Sequence, residues 1–301
     1  MSALTVILCT HNPRPEFLRE VLAHLKQQTL PVADWEFLLI DNASASPLAD
    51  TWDLSWHPHA RHVRENELGL TPARLRGIAE ATHDVIVFVD DDNLLAPDYL
   101  SQVRRIAEQW PMLGIWGGAI RPRFESPAPA WTRPHWGMLA IVECTQARWS
   151  NLPDRGDTRP CGAGMIVRTP VARRYAEQLR TDARRKALGR RGNALTSAED
   201  TDLVLTALDL GYGSGVFPEL QVEHIIPAGR LEESYLLRLA ESIACSGELL
   251  FQLRGKPIPP RNFAKRVYDF LRLFTLSARD RRFELARRKG RRQAEQLAKQ
   301  S

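Results

Sequence analysis

Two patterns of apolar and polar positions divide the chain. From residue 4 to about 111, short continuous apolar runs alternate with longer stretches whose apolar positions recur every three or four residues. LTVILC (4–9), EFLLID (36–41) and DVIVFVD (84–90) are runs of strand length. Phe17, Leu18, Val21, Leu22 and Leu25 predict a helix over about 15–28. A short strand near 60–65, a helix in NELGLTPARLRGIAEA and a helix opened by proline in APDYLSQVRRIAE complete the series. Strands that read apolar throughout, alternating with helices, predict an α/β fold with a mostly parallel central sheet and helices on both faces. Such sheets bind ligands outside the carboxyl ends of their strands. Polar clusters fall at three of those ends: Thr10, His11 and Asn12; Asp41 and Asn42; and Asp90 through Asn93.

Beyond about residue 112 the pattern changes. LGIWGGAI, LAIVEC and GAGMIVR read as strands, joined by a stretch rich in proline and tryptophan. A helix at about 198–210 and a strand over 216–222 (VFPELQV) follow, and from about 232 the chain reads as helical and basic. These shifts predict a catalytic domain over 1–231, with halves at 1–111 and 112–231, and a helical extension over 232–301.

Composition narrows the picture. With 301 residues, 44% hydrophobic and 26% charged, the chain is long enough for one large domain with an appendage. No apolar run approaches the roughly 18–20 residues needed to cross a bilayer. Met1 to Thr10 lacks a basic leader, so no signal peptide is expected. Cys9, Cys144, Cys161 and Cys245 have neither paired nor CxxC spacing, which predicts no disulfide framework, no zinc site and a reducing cytoplasm. The net charge of +5 is concentrated in 180–193 and 279–293. Such runs can attract nucleic acid, anionic lipid or phosphorylated substrates, but they read as a solvated helix face and a frayed tail, and no nucleic-acid partner is expected. Phe263, Val267, Phe270, Leu271 and Phe274 form one helical stripe, with Arg261, Lys265, Arg266 and Arg272 largely elsewhere. That pattern suits docking on the catalytic domain or on a partner subunit, or peripheral contact through 261–293 with an anionic membrane at the inner face of the plasma membrane.

The chemistry concentrates in three adjacent acids after a buried strand. Like charges so placed call for a counter-ion, and carboxylates suit a hard divalent cation such as Mg²⁺ or Mn²⁺. The competing reading is a helix N-cap by Asp92 or Asn93. Further along, Ser197 to Asp200 has the spacing of a capping box, and His224 ends an apolar strand.

VILCTHNPRPEFLREVLAHLKQQT, EFLLIDNAS, NELGLTPARLRGIAEATHDVIVFVDDDN, CGAGMIVR and SAEDTDLVLTALDLGY resemble, in order and spacing, the family 2 glycosyltransferases of GT-A fold. The resemblance covers about residues 3–230. It implies an inverting, metal-dependent enzyme that moves one sugar from a nucleotide-diphosphate donor to a hydroxyl on a glycan or lipid-linked acceptor in cell-surface polysaccharide synthesis. It further implies nucleotide contacts from Thr10, His11, Asn12, Asp41 and Arg74. The family's DxD signature falls on Asp90, Asp91 and Asp92, with Asp92 as metal ligand and Asp91 toward the ribose; the register along the three acids stays open. Asp200 is implied as general base, with Glu199 as a contact to the acceptor. His224 is implied as a second metal ligand and Arg230 as a diphosphate contact. Gly118 and Gly162 would border the donor sugar and acceptor, and Trp116 and Trp136 offer indole faces to a sugar ring or to the core.

Alternatives remain in view. A sugar-nucleotidyltransferase would need a glycine-rich basic loop after the first strand, which CTHNPRPEFL lacks. A non-catalytic module that binds glycan or nucleotide-sugar would not need the acid set. GYGSG (211–215) precedes a strand and is no dinucleotide fingerprint. WHPHARH lacks a fourth zinc ligand. QARW (146–149) lies before the acidic ED block, where a processive synthase motif would follow it.

Overall fold

The computed structural model describes residues 3–153, 155–192, 194–256 and 263–299. Arg261, and the side chains of Lys265 and Arg266, lie outside the described residues.

The first half follows the apolar pattern. Strand β1 (Leu4–Thr10) pairs in parallel with β2 (Trp35–Asn42) and β4 (Val85–Asp90), and β2 pairs in parallel with β3 (Ala60–Glu65). Successive side chains point to opposite faces, so each buried strand feeds two cores. Leu4, Val6, Leu8, Phe37, Leu39, Val85, Val87 and Val89 face one core. Ile7, Leu38, Ile40, Ile86 and Phe88 face the other. Helix α1 (Pro15–Lys26) covers the first face with Phe17, Leu18, Val21, Leu22 and Leu25, all buried. Each such side chain contributes roughly 1.5–3 kcal/mol of burial free energy. Helix α2 (Leu70–Glu80) covers the second face with Ala73 and Ile78.

The second half is mixed. Short β5 (Asn93–Leu95) precedes α3 (Tyr99–Gln109), and β6 (Leu113–Phe124), β7 (Arg148–Ser150), β8 (Ile166–Arg168) and β9 (Gly213–Ile226) extend the same sheet. Its order is β3-β2-β1-β4-β8-β6-β9-β5, with β7 beside β9. β8 runs antiparallel to β4 and β6, and β9 runs parallel to β6 but antiparallel to β5 and β7. The expectation of a sheet with helices on both faces holds, with the antiparallel pairs made by β8 and by β9. Helices α4 (Thr169–Thr181), α5 (Ala183–Lys186) and α6 (Glu199–Asp209) follow β8.

Two expected strands differ. LAIVEC forms no strand: Leu139 ends a 3₁₀ segment (Ala130–Leu139), Ala140 is left-handed at φ 58°, and only Val142 bridges to Ile120. A residue in that conformation ends an extended run. GAGMIVR is strand only from Ile166 to Arg168, because Gly164 has φ +66°.

Helix α7 (Glu233–Leu253) packs against α9 (Ala278–Lys299), with α8 (Phe263–Thr275) between them in sequence. Among the described residues no helix is long and apolar enough to cross a membrane.

Candidate active site

Parallel pairing sets the floor. Cys9 is register partner to Asp90, and Thr10 to Asp41, so the polar strand ends lie side by side. After Asp90 the chain turns and Asn93 pins the turn. Its Oδ1 accepts from the Asp90 amide at 3.4 Å and its Nδ2 donates to Asp92 Oδ1 at 2.9 Å. Neither Asp92 nor Asn93 caps α3, whose N-cap is Asp98, without a side-chain capping bond. The Thr10 hydroxyl donates to Asp91 Oδ2.

Antiparallel pairing of β5 with β9 aligns Asn93 with His224. This sets His224 Nε2 3.4 Å from Asp92 Oδ2. Arg230, just beyond β9, places Nη2 3.3 Å from the same oxygen and Nη1 3.3 Å from His224 Nε2. Burial opposes ionisation of Asp92, but His224 and Arg230 outweigh it and hold the carboxyl at about 2. Its neighbour behaves oppositely. Burial and the charge of Asp92 push Asp91 up to about 7, against the Thr10 hydroxyl.

A second acidic pair stands at the start of α6. The helix N-cap is Ala198, with no side-chain cap bond, so Ser197 and Asp200 do not form a capping box. Asp200 Oδ1 instead accepts from the Thr201 amide at 2.6 Å. Burial raises both carboxyls, and the charge of Asp200 helps carry Glu199 to about 7. Arg74 partly compensates. Its buried guanidinium lies over the Phe88 ring, with Nη2 3.5 Å from Asp90 Oδ1 and Nη1 3.8 Å from Glu199 Oε1. One cation thus links the two acidic groups, while Glu199 Oε2 has no hydrogen-bond partner among the described residues.

One cleft of about 470 Å³ joins these parts. It brings together Thr10, His11, Arg74, Asp90, Asp91, Asp92, Gly162, Glu199, Asp200, His224 and Arg230. The other expected residues are placed elsewhere. Asn12 ties the first loop to the second, accepting from the Ala45 amide at 2.9 Å and donating its own amide to Ser44. Both oxygens of Asp41 are engaged, by the Ser44 amide at 3.0 Å, the Leu48 amide at 3.1 Å and Arg64 at 2.6 Å. Asp41 is therefore a buried loop organiser, and it is Asn42 that lines the cleft. Trp116 is wholly buried in the core, so its indole meets no acceptor. Gly118 marks a register shift between β6 and β9, where a β-carbon would stand 1.9 Å from the Leu220 carbonyl oxygen; it serves strand packing. Trp136 packs on Phe124 and gives its indole N–H to Thr132 at 3.1 Å, while Gly137 to Ala140 beyond it reach the cleft.

Among the cleft residues that escaped the sequence reading, Arg190 and Tyr235 carry the polar groups of most consequence. Arg190 belongs to a basic run that reads as a solvated face. Its carbonyl accepts from Leu70, which fixes the loop over the start of α2, and its charge acts on Asp90, Asp92, Glu199 and Asp200. Tyr235 lines the cleft from the first turn of α7, and nothing in its surrounding sequence sets it apart.

Among the described residues no group of three or more His, Cys, Asp or Glu side chains is arranged to hold a metal ion alone. Asp92 and His224 nevertheless offer one oxygen and one nitrogen at a common point. That partial set fits a divalent cation whose remaining positions come from water and substrate phosphates, the usual habit of Mg²⁺. Arg230, which can only donate, faces the same pair.

A sheet whose acidic strand ends open on one cleft, faced by a second acidic pair on a helix start, is the framework of a GT-A glycosyltransferase. Residues 5–170 match the model described as glycosyl transferase family 2, and the chain belongs to that family. Solved structures of similar fold include S. aureus TarS, at TM-score 0.53 and 16% identity over 82% of this chain and 40% of that one. The TarS 1–349 structure matches at TM-score 0.53 and 15% identity, covering 99% of this chain and 91% of that one. TarS 1–349 in complex with UDP-GlcNAc matches at TM-score 0.52 and 14% identity, covering 81% and 66%. This chain thus spans less than half of the longer TarS chain, and likeness at such identity speaks to the fold alone. No match was found among curated proteins.

Proposed function

We propose that the protein is an inverting, metal-dependent glycosyltransferase that moves a single sugar from a nucleotide-diphosphate donor to a hydroxyl of a glycan or lipid-linked acceptor, in cell-surface polysaccharide synthesis. The observation that carries this reading is the sharing of one cleft by Asp92, His224 and Arg230 with Asp200. Leaving-group neutralisation and proton abstraction need such separate stations in a common space.

In this reading Arg230 and Arg190 bind the diphosphate, and Asp92 with His224 would hold Mn²⁺ or Mg²⁺ against it. A bound cation supplies charge neutralisation for the departing diphosphate. Thr10 keeps Asp91 directed at the donor. Arg74 bridges Asp90 and Glu199, so that the two acidic groups keep their spacing when substrate enters. Asp200 accepts the proton of the acceptor hydroxyl as its oxygen attacks the anomeric carbon, while the bond from that carbon to the diphosphate oxygen breaks and its electron pair leaves with the nucleotide. Backbone amides from Thr201 and Gly162 orient the Asp200 carboxylate for that task. Attack from the face opposite the leaving group inverts the configuration.

The complex of TarS with UDP-GlcNAc makes uridine diphosphate sugars the first donors to test. Incubation with Mn²⁺ and a panel of nucleotide sugars should release nucleoside diphosphate from one of them, faster with a glycan acceptor present. Nuclear magnetic resonance of the product should show the anomeric configuration reversed. No release from any donor, with the protein folded and metal present, would favour a binding module.

A further inference from the structure

Helix α8 is amphipathic, yet its apolar stripe points away from the protein. Phe263, Phe270, Leu271 and Phe274 are 80%, 56%, 58% and 66% exposed, and Val267 and Tyr268 are exposed beside them. The Phe270 and Phe274 rings meet at 5.4 Å, one turn apart on the outer surface. The opposite face is the tethered one. Arg288 of α9 donates to the Asp269 carbonyl at 2.5 Å and Arg281 donates to the Leu273 carbonyl at 2.9 Å. Contiguous exposed aromatic surface on a soluble chain marks an interaction site.

Charge selects the occupant. Residues 263–299 hold twelve lysines and arginines against four acids, a net +8 in a chain whose total is +5, which leaves the remainder at −3. A second copy seated on the same stripe would bring two such segments together at the cost of mutual repulsion. An anionic bilayer surface instead takes the aromatic side chains into its headgroup region and attracts the net positive charge of the whole segment within a Debye length.

Through α9, the helix is also linked to the wall of the cleft read here as the acceptor side. α9 begins three residues after α8 ends, and its Arg279 lies 4.4 Å over the Trp131 ring. Phe283 stacks on His135 at 3.8 Å. Both partners belong to the 3₁₀ segment that leads into Gly137 and Met138 on the cleft wall. We infer that α8 lies on an anionic membrane surface and thereby holds the acceptor side of the cleft close to the bilayer. This inference rests on the glycosyltransferase reading only for its choice of acceptor side.

Flotation of the full chain with vesicles tests it. With vesicles of phosphatidylcholine containing about 30 mol % phosphatidylglycerol, the protein should float at 0.1 M NaCl and be largely released at 0.5 M. Pure phosphatidylcholine vesicles should retain about tenfold less. The double variant Phe270→Ser and Phe274→Ser should lose about tenfold in partitioning, with an unchanged circular dichroism spectrum and unchanged donor hydrolysis in solution. Protein that stays unbound at low salt on anionic vesicles overturns the inference. So does a wild-type dimer by light scattering that the double variant abolishes without any vesicle binding. Donor hydrolysis is read without vesicles, so failure of membrane binding and failure of the enzymatic reading remain distinguishable.

Discussion

A β-carbon on Gly162 would stand 2.9 Å from Nη2 of Arg74. The guanidinium cannot retreat freely, because Asp90, Glu199 and the Phe88 ring hold it in a buried site. Gly162→Ala should therefore displace Arg74 rather than the backbone. The expected result is a fall in kcat of about ten- to a hundredfold, of the size that small misplacements produce. The melting temperature should change by no more than about 2 °C, roughly a surface-scale stability change in a chain of this size. Activity within twofold of wild type would show that Arg74 does not need this position.

Asp200→Asn removes the proposed proton acceptor while keeping the shape of the first turn of α6. Transfer should fall by about 10²- to 10⁴-fold, the usual contribution of general base catalysis. Nucleotide affinity in Mn²⁺ should stay within about twofold, because the proposed diphosphate station is formed by other residues. Retained turnover would move the base to Glu199, the neighbouring carboxyl.

Glu199 predicts a pH signature in stability. Burial and the charge of Asp200 push its carboxyl from 4.5 up to about 7. A carboxyl raised on folding stabilises the protein fully below its unfolded value, and that contribution is lost as pH rises through the folded value. Glu199→Gln is neutral at every pH and escapes this loss. In metal-free and nucleotide-free protein, the variant should gain stability relative to wild type between pH 5 and pH 8. The gain should be on the order of 1–3 kcal/mol. A difference that is flat with pH, measured by denaturant unfolding, would contradict the assignment.

The first turn of α6 is also clamped, by Arg185 of α5 and by Arg254 at the end of α7. Asp202 is fully buried and accepts from Arg185 at 2.9 and 3.0 Å and from Arg254 Nε at 2.5 Å. Arg254 also donates to the Asp202 carbonyl and to Thr206. Arg254→Met should destabilise the fold by on the order of 3 kcal/mol, the cost of stripping a buried acid of one partner. Transfer should fall with it, since Asp200 sits two residues away. A loss below about 0.5 kcal/mol in denaturant titration, the scale of an ordinary surface substitution, would make the clamp dispensable.

The sequence revealed the first half of the fold because its strands are buried on both faces and its helices on one. Leu4 to Thr10 therefore reads as an unbroken apolar run, and Phe17 to Leu25 as a stripe. The meeting of Thr10 with Asp90 to Asp92 was legible for the same reason, since parallel strands bring their carboxyl ends to one edge, whereas Arg74 of α2 came only from the family resemblance. The second half was harder to read. A left-handed Ala140 in LAIVEC leaves no mark in an apolar run. Trp116 beside two glycines reads alike whether its indole faces a sugar or fills the core. Asp41 matched by position, but its saturation by Ser44, Leu48 and Arg64 depends on how the following loop closes. Arg190 was hidden in a charge run, because one inward arginine among outward ones has no periodic signature.

In the proposed reaction a cation is held between Asp92, His224 and a nucleotide diphosphate. Calorimetric titration of uridine diphosphate with and without Mn²⁺ addresses it directly, in wild type and in Asp92→Ala. Wild-type affinity should rise about tenfold or more when Mn²⁺ is added, and the variant should show no such rise. Equal Mn²⁺ dependence in both proteins would remove Asp92 from the metal site and contradict the account.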